Sequence, residues 1–359
     1  MTHPILSLPR KKARIVLEAV EEMERIKVLD AQTAATVRAG IRPLAFDWRR
    51  LARYAFILAL VCLVIAGGAA VADEWLMDRL ARLFHQSWGV RSLGCAVLSA
   101  AIFLLGLKRR RRHPGKVFSN EAVFFLGMLG IAGAIACLGK AVDTGSGHYS
   151  LLVLLAALVY GALGLALESK LIWGFSLLSL SGWFGAETGY ASGWGAYYLG
   201  MAYPLRFVLF GLALTLACRL MPGRPRMEPF FGLTRVTGLL HLFIALWILS
   251  IWGNYDGYES WHRATHWELW YWSLAFGLAA ASALFLGLRR DDGILRGFGL
   301  TFLGLNLYTR FFECFWNDLH KVFFFAVLAA SFWFLGSRAE AIWQMRNLRN
   351  RFGPDATRG

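Results

Sequence analysis

Residues 151–167 read "LLVLLAALVYGALGLAL", seventeen positions without a single charged or strongly polar side chain. A hydrocarbon core about 30 Å thick takes roughly 20 apolar helical residues to cross, and a run this long and uniform has no place on a soluble domain's surface. The rest of the chain resembles it. Hydrophobic residues make up 57% of the 359, aromatics 15% and charged residues only 17%, too apolar for a soluble protein of this size. Predominantly apolar stretches of comparable length recur at 53–72, 93–107, 121–138, 171–186, 203–219, 235–252, 268–288, 295–314 and 321–337. The expected fold is an all-α polytopic membrane helix bundle of about ten transmembrane helices, with 171–186 the weakest span.

Charge orients the bundle. With residues 1–52 in the cytoplasm and ten crossings, 30 of the 38 Lys and Arg fall on the inner side. That is the asymmetry of the positive-inside rule, and moving the count by one crossing scrambles it. Both termini are therefore expected inside, giving a cytoplasmic helical region at 1–52, a membrane domain at 53–337 and a basic tail at 338–359. The polar segment ahead of the first span, with no small-residue cleavage site after it, is expected to be retained and not removed as a signal peptide. A net charge of +15 would otherwise point to nucleic acid, but no such fold signature accompanies it. Arg109, Arg110, Arg111 and Arg112 instead form a juxtamembrane basic run suited to anionic inner-leaflet lipids.

At the N-terminus, Ile15, Val16, Ala19, Val20, Met23 and Ile26 form a helical stripe, Asp30 is placed to cap a second helix, and Gly40 and Pro43 stop it. This predicts a helical hairpin that lies against the inner loops or the membrane interface. The five cysteines show no C-x-x-C spacing, and the signatures of P-loop NTPases, H-E-x-x-H proteases and G-x-S-x-G hydrolases are absent. No cofactor or metal is indicated.

Three groups of residues are candidates for chemistry, against the plainer readings of interfacial polar residues for the second and a solvated turn for the third. In "NLYTRFFEC" (306–314), Arg310 lies about 22 Å along its span at 1.5 Å per residue, with Glu313 one turn later and Asn306 one turn earlier on the same face. Ionisable groups at membrane depth face the bundle interior or a water-filled cavity, so the pair reads either as a structural tie or as a ligand site. In "ESWHRATH" (259–266), a continuous helix would place Glu259, His262 and His266 on one face, a set suited to proton transfer, ligand binding or zinc. Asp318 and His320 occupy the turn before the last span. Topology brings these residues, with Glu187 and Asp256, to the outer side. His241 is expected to hydrogen-bond a neighbouring helix. Glu121, Glu168, Asp291 and Asp292 read as solvated charges.

"YYLGMAYPLRF" (197–207) and "NLYTRFFECFWNDLHKVFFFAVLAASFWFLGSRAE" (306–340) are similar to segments of an uncharacterised family of bacterial polytopic membrane proteins, a domain of unknown function with a short helical N-terminal region before its spans. The resemblance implies a bacterial inner-membrane protein and carries over no catalytic residues. Residue chemistry leaves three functions open. One is a binding or transport protein for a small, anionic solute or lipid headgroup, lined by Arg310, Glu313, Glu259, His262, His266, Asp318 and His320. The others are an enzyme acting on a lipid or envelope precursor at the outer leaflet, and a non-catalytic scaffold or sensor.

Overall fold

Small residues set which helices touch. In the computed structural model, which describes residues 6–44, 87–316 apart from 144, 146, 196 and 265, and 320–331, with scattered positions in 51–65 and 333–337, apolar helices approach each other across glycine and serine. The first predicted span (53–72, for the most part), Asp318 and the tail 338–359 lie outside the described residues.

The chain divides into two units, Met1–Gly147 and His148–Gly359. The first opens with β1 (Leu6–Pro9), α1 (Arg10–Arg25), α2 (Ala31–Gly40) and β2 (Ile41–Leu44), the two strands pairing in parallel. Asp30 caps α2 as expected, its carboxylate accepting from the Thr33 amide at 2.9 Å, which holds that carboxyl below its usual range. Arg38 pairs with Glu24 to close the hairpin. The stripe on α1 is split, however. Val20 is buried and Val16 half-buried, while Ile15, Ala19, Met23 and Ile26 stay exposed.

Next in this unit come α3 (Trp88–Arg112) and α4 (Val117–Ala141), an antiparallel pair. A side chain at Gly127 would meet the Phe103 ring at 3.0 Å, and one at Gly130 would meet Ser99 at 3.0 Å, so the glycines are what lets these helices close. The Ser99 hydroxyl donates to the Gly127 carbonyl and Ser92 to that of Ala134 at 2.8 Å.

The second unit strings together α5 (Ser150–Leu167), α6 (Lys170–Ala191), a two-residue hairpin of β3 (Tyr197–Tyr198) and β4 (Met201–Ala202), α7 (Tyr203–Ala217), α8 (Phe231–Trp252), α9 (Tyr258–Arg263), α10 (His266–Arg289), α11 (Gly293–Phe315) and α12 (Lys321–Ser331). Successive pairs α5–α6, α7–α8 and α10–α11 are antiparallel hairpins, and α8 also packs on α10 and α11. The core lies in two clusters. Phe243, Leu246, Phe276, Ala280 and Phe302 join α8, α10 and α11, and Trp173, Leu177, Cys218, Met221 and Phe230 join α6 to the start of α8.

The outer surface is apolar, unlike that of a soluble protein, and several small polar side chains are buried between the helices. Ser99, Asn120, Ser176, Thr234, Ser250 and Ser273 are buried, while Leu104, Leu158, Leu278, Phe285 and Leu300 point outward. Six helices, those covering Trp88–Arg112, Val117–Ala141, Ser150–Leu167, Tyr203–Leu220, Glu228–Trp252 and Glu268–Arg289, are long and apolar enough to cross a bilayer. The protein is an all-α membrane helix bundle. The weakest predicted span, 171–186, lies within a continuous 22-residue helix.

Candidate functional site

Arg310 and Glu313 sit in the last turns of α11 and form a two-pronged ion pair. Nη1 meets Oε2 at 2.6 Å and Nη2 donates to Oε1 at 2.7 Å. The same Nη2 donates to the Ser250 carbonyl at the end of α8 at 2.9 Å. Arg310 is only 14% exposed and Glu313 25%, so the pair is shielded from solvent on most sides, and charge-assisted bonds there are stronger than on a surface. The Nε atom of Arg310 is buried and meets no acceptor among the described residues. The turns before it extend the seam: Trp247 of α8 donates to Thr309 at 2.9 Å, and Asn306 exchanges hydrogen bonds with Ser273 of α10 at 2.9 and 3.1 Å. Asn306, Thr309, Arg310 and Glu313 thus form one polar stripe on α11, as an i, i+3, i+4, i+7 spacing requires.

Of the other expected lining, Glu259, His262 and His320 make no hydrogen bond or ion pair with this group among the described residues. The helix carrying Glu259 and His262 stops at Arg263, because Ala264 is extended (φ −67°, ψ 136°), and His266 begins a separate helix. One helical face cannot hold all three residues. Glu259 and His262 are exposed, with the His262 ring stacked on Tyr258 at 5.7 Å. The His266 side chain lies outside the described residues. His320 is exposed, its Nδ1 accepting from the Val322 amide at 3.4 Å. Among the described residues no three His, Cys, Asp or Glu gather as a metal site.

Two constellations escaped the sequence. At the start of α5 and the end of α6, His148 Nε2 lies 3.0 Å from Glu187 Oε2, and the Ser150 hydroxyl donates to the same oxygen at 2.6 Å. The His148 ring lies flat on Tyr190, with centroids 3.9 Å apart and planes 4° from parallel. A carboxylate that takes the Nε2 proton leaves Nδ1 as the basic nitrogen, which is how a histidine base is oriented. Ser150 bonds the carboxylate and not the imidazole, so it supports Glu187 and is not an activated nucleophile. Beside this group Arg206 is 1% exposed. It donates to the carbonyls of Met201 and Thr188, each at 3.1 Å, and lies 4.0 Å above the Tyr203 ring. That arginine clamps the hairpin onto α6.

The loop after α8 finishes this end of the bundle. Asn254 accepts from the Ala202 amide at 2.7 Å and donates to the Gly200 carbonyl at 2.9 Å, fixing the β3–β4 turn in which Leu199 and Gly200 both have positive φ. Burial, and then the hydrogen bond its hydroxyl makes to Glu268 at 3.0 Å, push the Tyr255 phenol up to about 12.

At the opposite end Asp292 is not a solvated charge. It caps α11 through the amides of Ile294 and Leu295 and pairs with Arg235 of α8, whereas its neighbour Asp291 is 91% exposed. Burial opposes ionisation of Asp292, yet the Arg235 hydrogen bond and the cap together hold its carboxyl below the usual range. His241 also departs from expectation, bonding the Thr237 carbonyl of its own helix at 2.8 Å and, among the described residues, no neighbouring helix. Arg109, in the basic run that ends α3, bonds the Ser119 hydroxyl at 2.7 Å.

No protein-family model, no curated protein and no solved structure matches the chain.

Proposed function

We propose that this is a bacterial inner-membrane protein of about ten spans with both termini in the cytoplasm, and that it binds or transports a small, anionic solute or lipid headgroup presented from the outer side to Arg310. The observation that supports the ligand assignment is the buried Nε of Arg310, which meets no acceptor among the described residues. An arginine held at membrane depth with a donor to spare is poised for an anionic oxygen, and leaving that donor unmet costs roughly 1–3 kcal/mol. Orientation is supported by the second unit's own charges. Lys170, Arg219, Arg224, Arg226, Arg235, Arg289, Arg290 and Arg296 lie at the Asp292 end of its helices, and Arg206, Arg263, Arg310 and Lys321 at the Glu187 end.

The test is thermal unfolding of the purified protein in detergent with phosphate, sulfate and succinate as probes at constant ionic strength. At least one should raise the midpoint for wild type and not for Arg310→Ala/Glu313→Ala, a double variant that removes both charges and strands neither. Equal protection of both proteins rejects the site.

The His148–Glu187 geometry favours a second reading, an enzyme acting on a lipid or envelope precursor at the outer leaflet with His148, in place of His262 or His266, as general base. Turnover of short-chain phospholipid esters that His148→Gln abolishes would support it. Turnover unchanged in that variant, or none in wild type, would count against it.

A further inference from the structure

Beyond the Arg310 site, α7 and α8 frame a groove. Their backbones touch where glycine permits. A side chain at Gly211 would collide with the Leu242 backbone, and one at Gly238 would lie 2.9 Å from the Thr215 nitrogen. From Gly211 toward Tyr203 the contact residues become large, and a groove of about 520 Å³ opens between the helices, lined by Tyr203, Phe207, His241, Ile244, Ala245 and Ile248 among others. That volume suits a small organic ligand. Leu240, Ile244 and Ile248 are well exposed on the outer surface of α8, so the groove communicates with the space that lipid fills.

His241 is the histidine in the lining of this largely apolar space. His241 lies ten residues into α8, about 15 Å along the helix and so near its middle. Its Nδ1 faces the Thr237 carbonyl, which can only accept, so Nδ1 carries the proton. In the neutral imidazole Nε2 is then an acceptor, and it makes no hydrogen bond among the described residues. The ring is framed by Phe207, near-parallel at 6.0 Å between centroids, and Phe210, edge-on at 5.3 Å.

These features select among membrane-dissolved ligands. A bare acyl chain would seal Nε2 away from any donor. A phosphate meets no lysine or arginine in the described lining, and nearby Arg206 is buried and bonded to two backbone carbonyls. What fits is a flat ring able to pack on aromatic walls, bearing a hydroxyl to donate to Nε2 and an apolar tail to fill the groove. We propose that the α7–α8 groove binds an isoprenoid quinol, with His241 accepting a hydrogen bond from its hydroxyl.

The full-length protein in nanodiscs, kept anaerobic, can be titrated with decylubiquinol, decylubiquinone and dodecanol while tryptophan fluorescence is followed. The quinone lacks the hydroxyl donor, so the quinol should bind about tenfold more tightly, the worth of one hydrogen bond. His241→Leu should erase that preference while leaving quinone binding within about twofold, and Ala245→Trp should abolish binding of both by filling the groove. The proposal is overturned if wild type does not bind the quinol or binds quinol and quinone equally, if His241→Leu keeps the preference, or if dodecanol binds as tightly as the quinol. Phosphate protection at Arg310 is independent of all these results, so failure here leaves that site standing.

Discussion

Single side chains at the helix ends carry much of the specificity of this bundle. Asp292 does two jobs, capping α11 and holding Arg235. Asp292→Ala should lower stability by roughly 1–3 kcal/mol, combining a lost cap with an unpaired, largely buried arginine. Because its carboxyl is depressed in the folded state, the contribution is complete above the unfolded value near 3.8 and fades as pH falls through the folded value. Thermal midpoints measured from pH 6 down to 3 should therefore fall more steeply for wild type than for Asp292→Asn. Tyr255 has the opposite sign. Its raised phenol stabilises below the unfolded value of 10 and loses that contribution as pH climbs through about 12. Some of this was legible in the sequence. Arg310 and Glu313 pair because three residues separate them, a local relation any helix enforces. Asp292 read as solvated because its partner is 57 residues away, and His148 went unnoticed for the same reason. Its cluster does leave a register clue: Ser150 lies 18 residues before Glu168 and Glu187 lies 18 after Ser169, so a tight antiparallel turn there must bring them level.

At the scale of elements, glycine sets the distance between helices. Gly211→Leu and Gly299→Leu would each drive a side chain into a neighbouring helix backbone, at Leu242 and Leu284 respectively. Each should cost roughly 1–3 kcal/mol, seen as a lower midpoint in detergent, whereas leucine at Gly232, where no atom lies within 4 Å, should be tolerated. Helices stood out in the sequence because twenty apolar residues in water have no alternative; the second to ninth predicted spans all fall on observed helices. The two short sheets did not stand out. Strands of two and four residues carry no periodicity, and the β3–β4 turn depends on Leu199 adopting φ 52°, which leucine seldom does. The same weakness hid the break at Ala264, where no proline or glycine announces that Glu259 and His262 are cut off from His266.

For the molecule as a whole, orientation is the property from which the outer-site readings follow. Single cysteines placed at 114, 222 and 291 in a cysteine-free background should resist a membrane-impermeant maleimide in intact cells, and those at 194 and 256 should react. Labelling of the first set would invert the topology and move the Arg310 site to the cytoplasmic face. Apolar runs and the lysine and arginine imbalance made the membrane class readable from composition alone. Which polar residues meet depends on helix pairings between distant segments, and side-chain identity along the chain does not encode these.

The seam between α8 and α11 carries a mechanical implication. The helices run parallel and are pinned near both ends, by Arg235 to Asp292 and by Trp247 and Ser250 to Thr309 and Arg310, while Asn306 locks α10 to the same pair. Sliding α8 past α11 by one turn, about 5.4 Å, would break every pin at once. The three helices are therefore coupled as one strut, in which a one-turn slide between members costs several hydrogen bonds at once. Spin labels at 253 and 316 should keep one separation with and without phosphate or quinol. A second distance population would show that the strut yields.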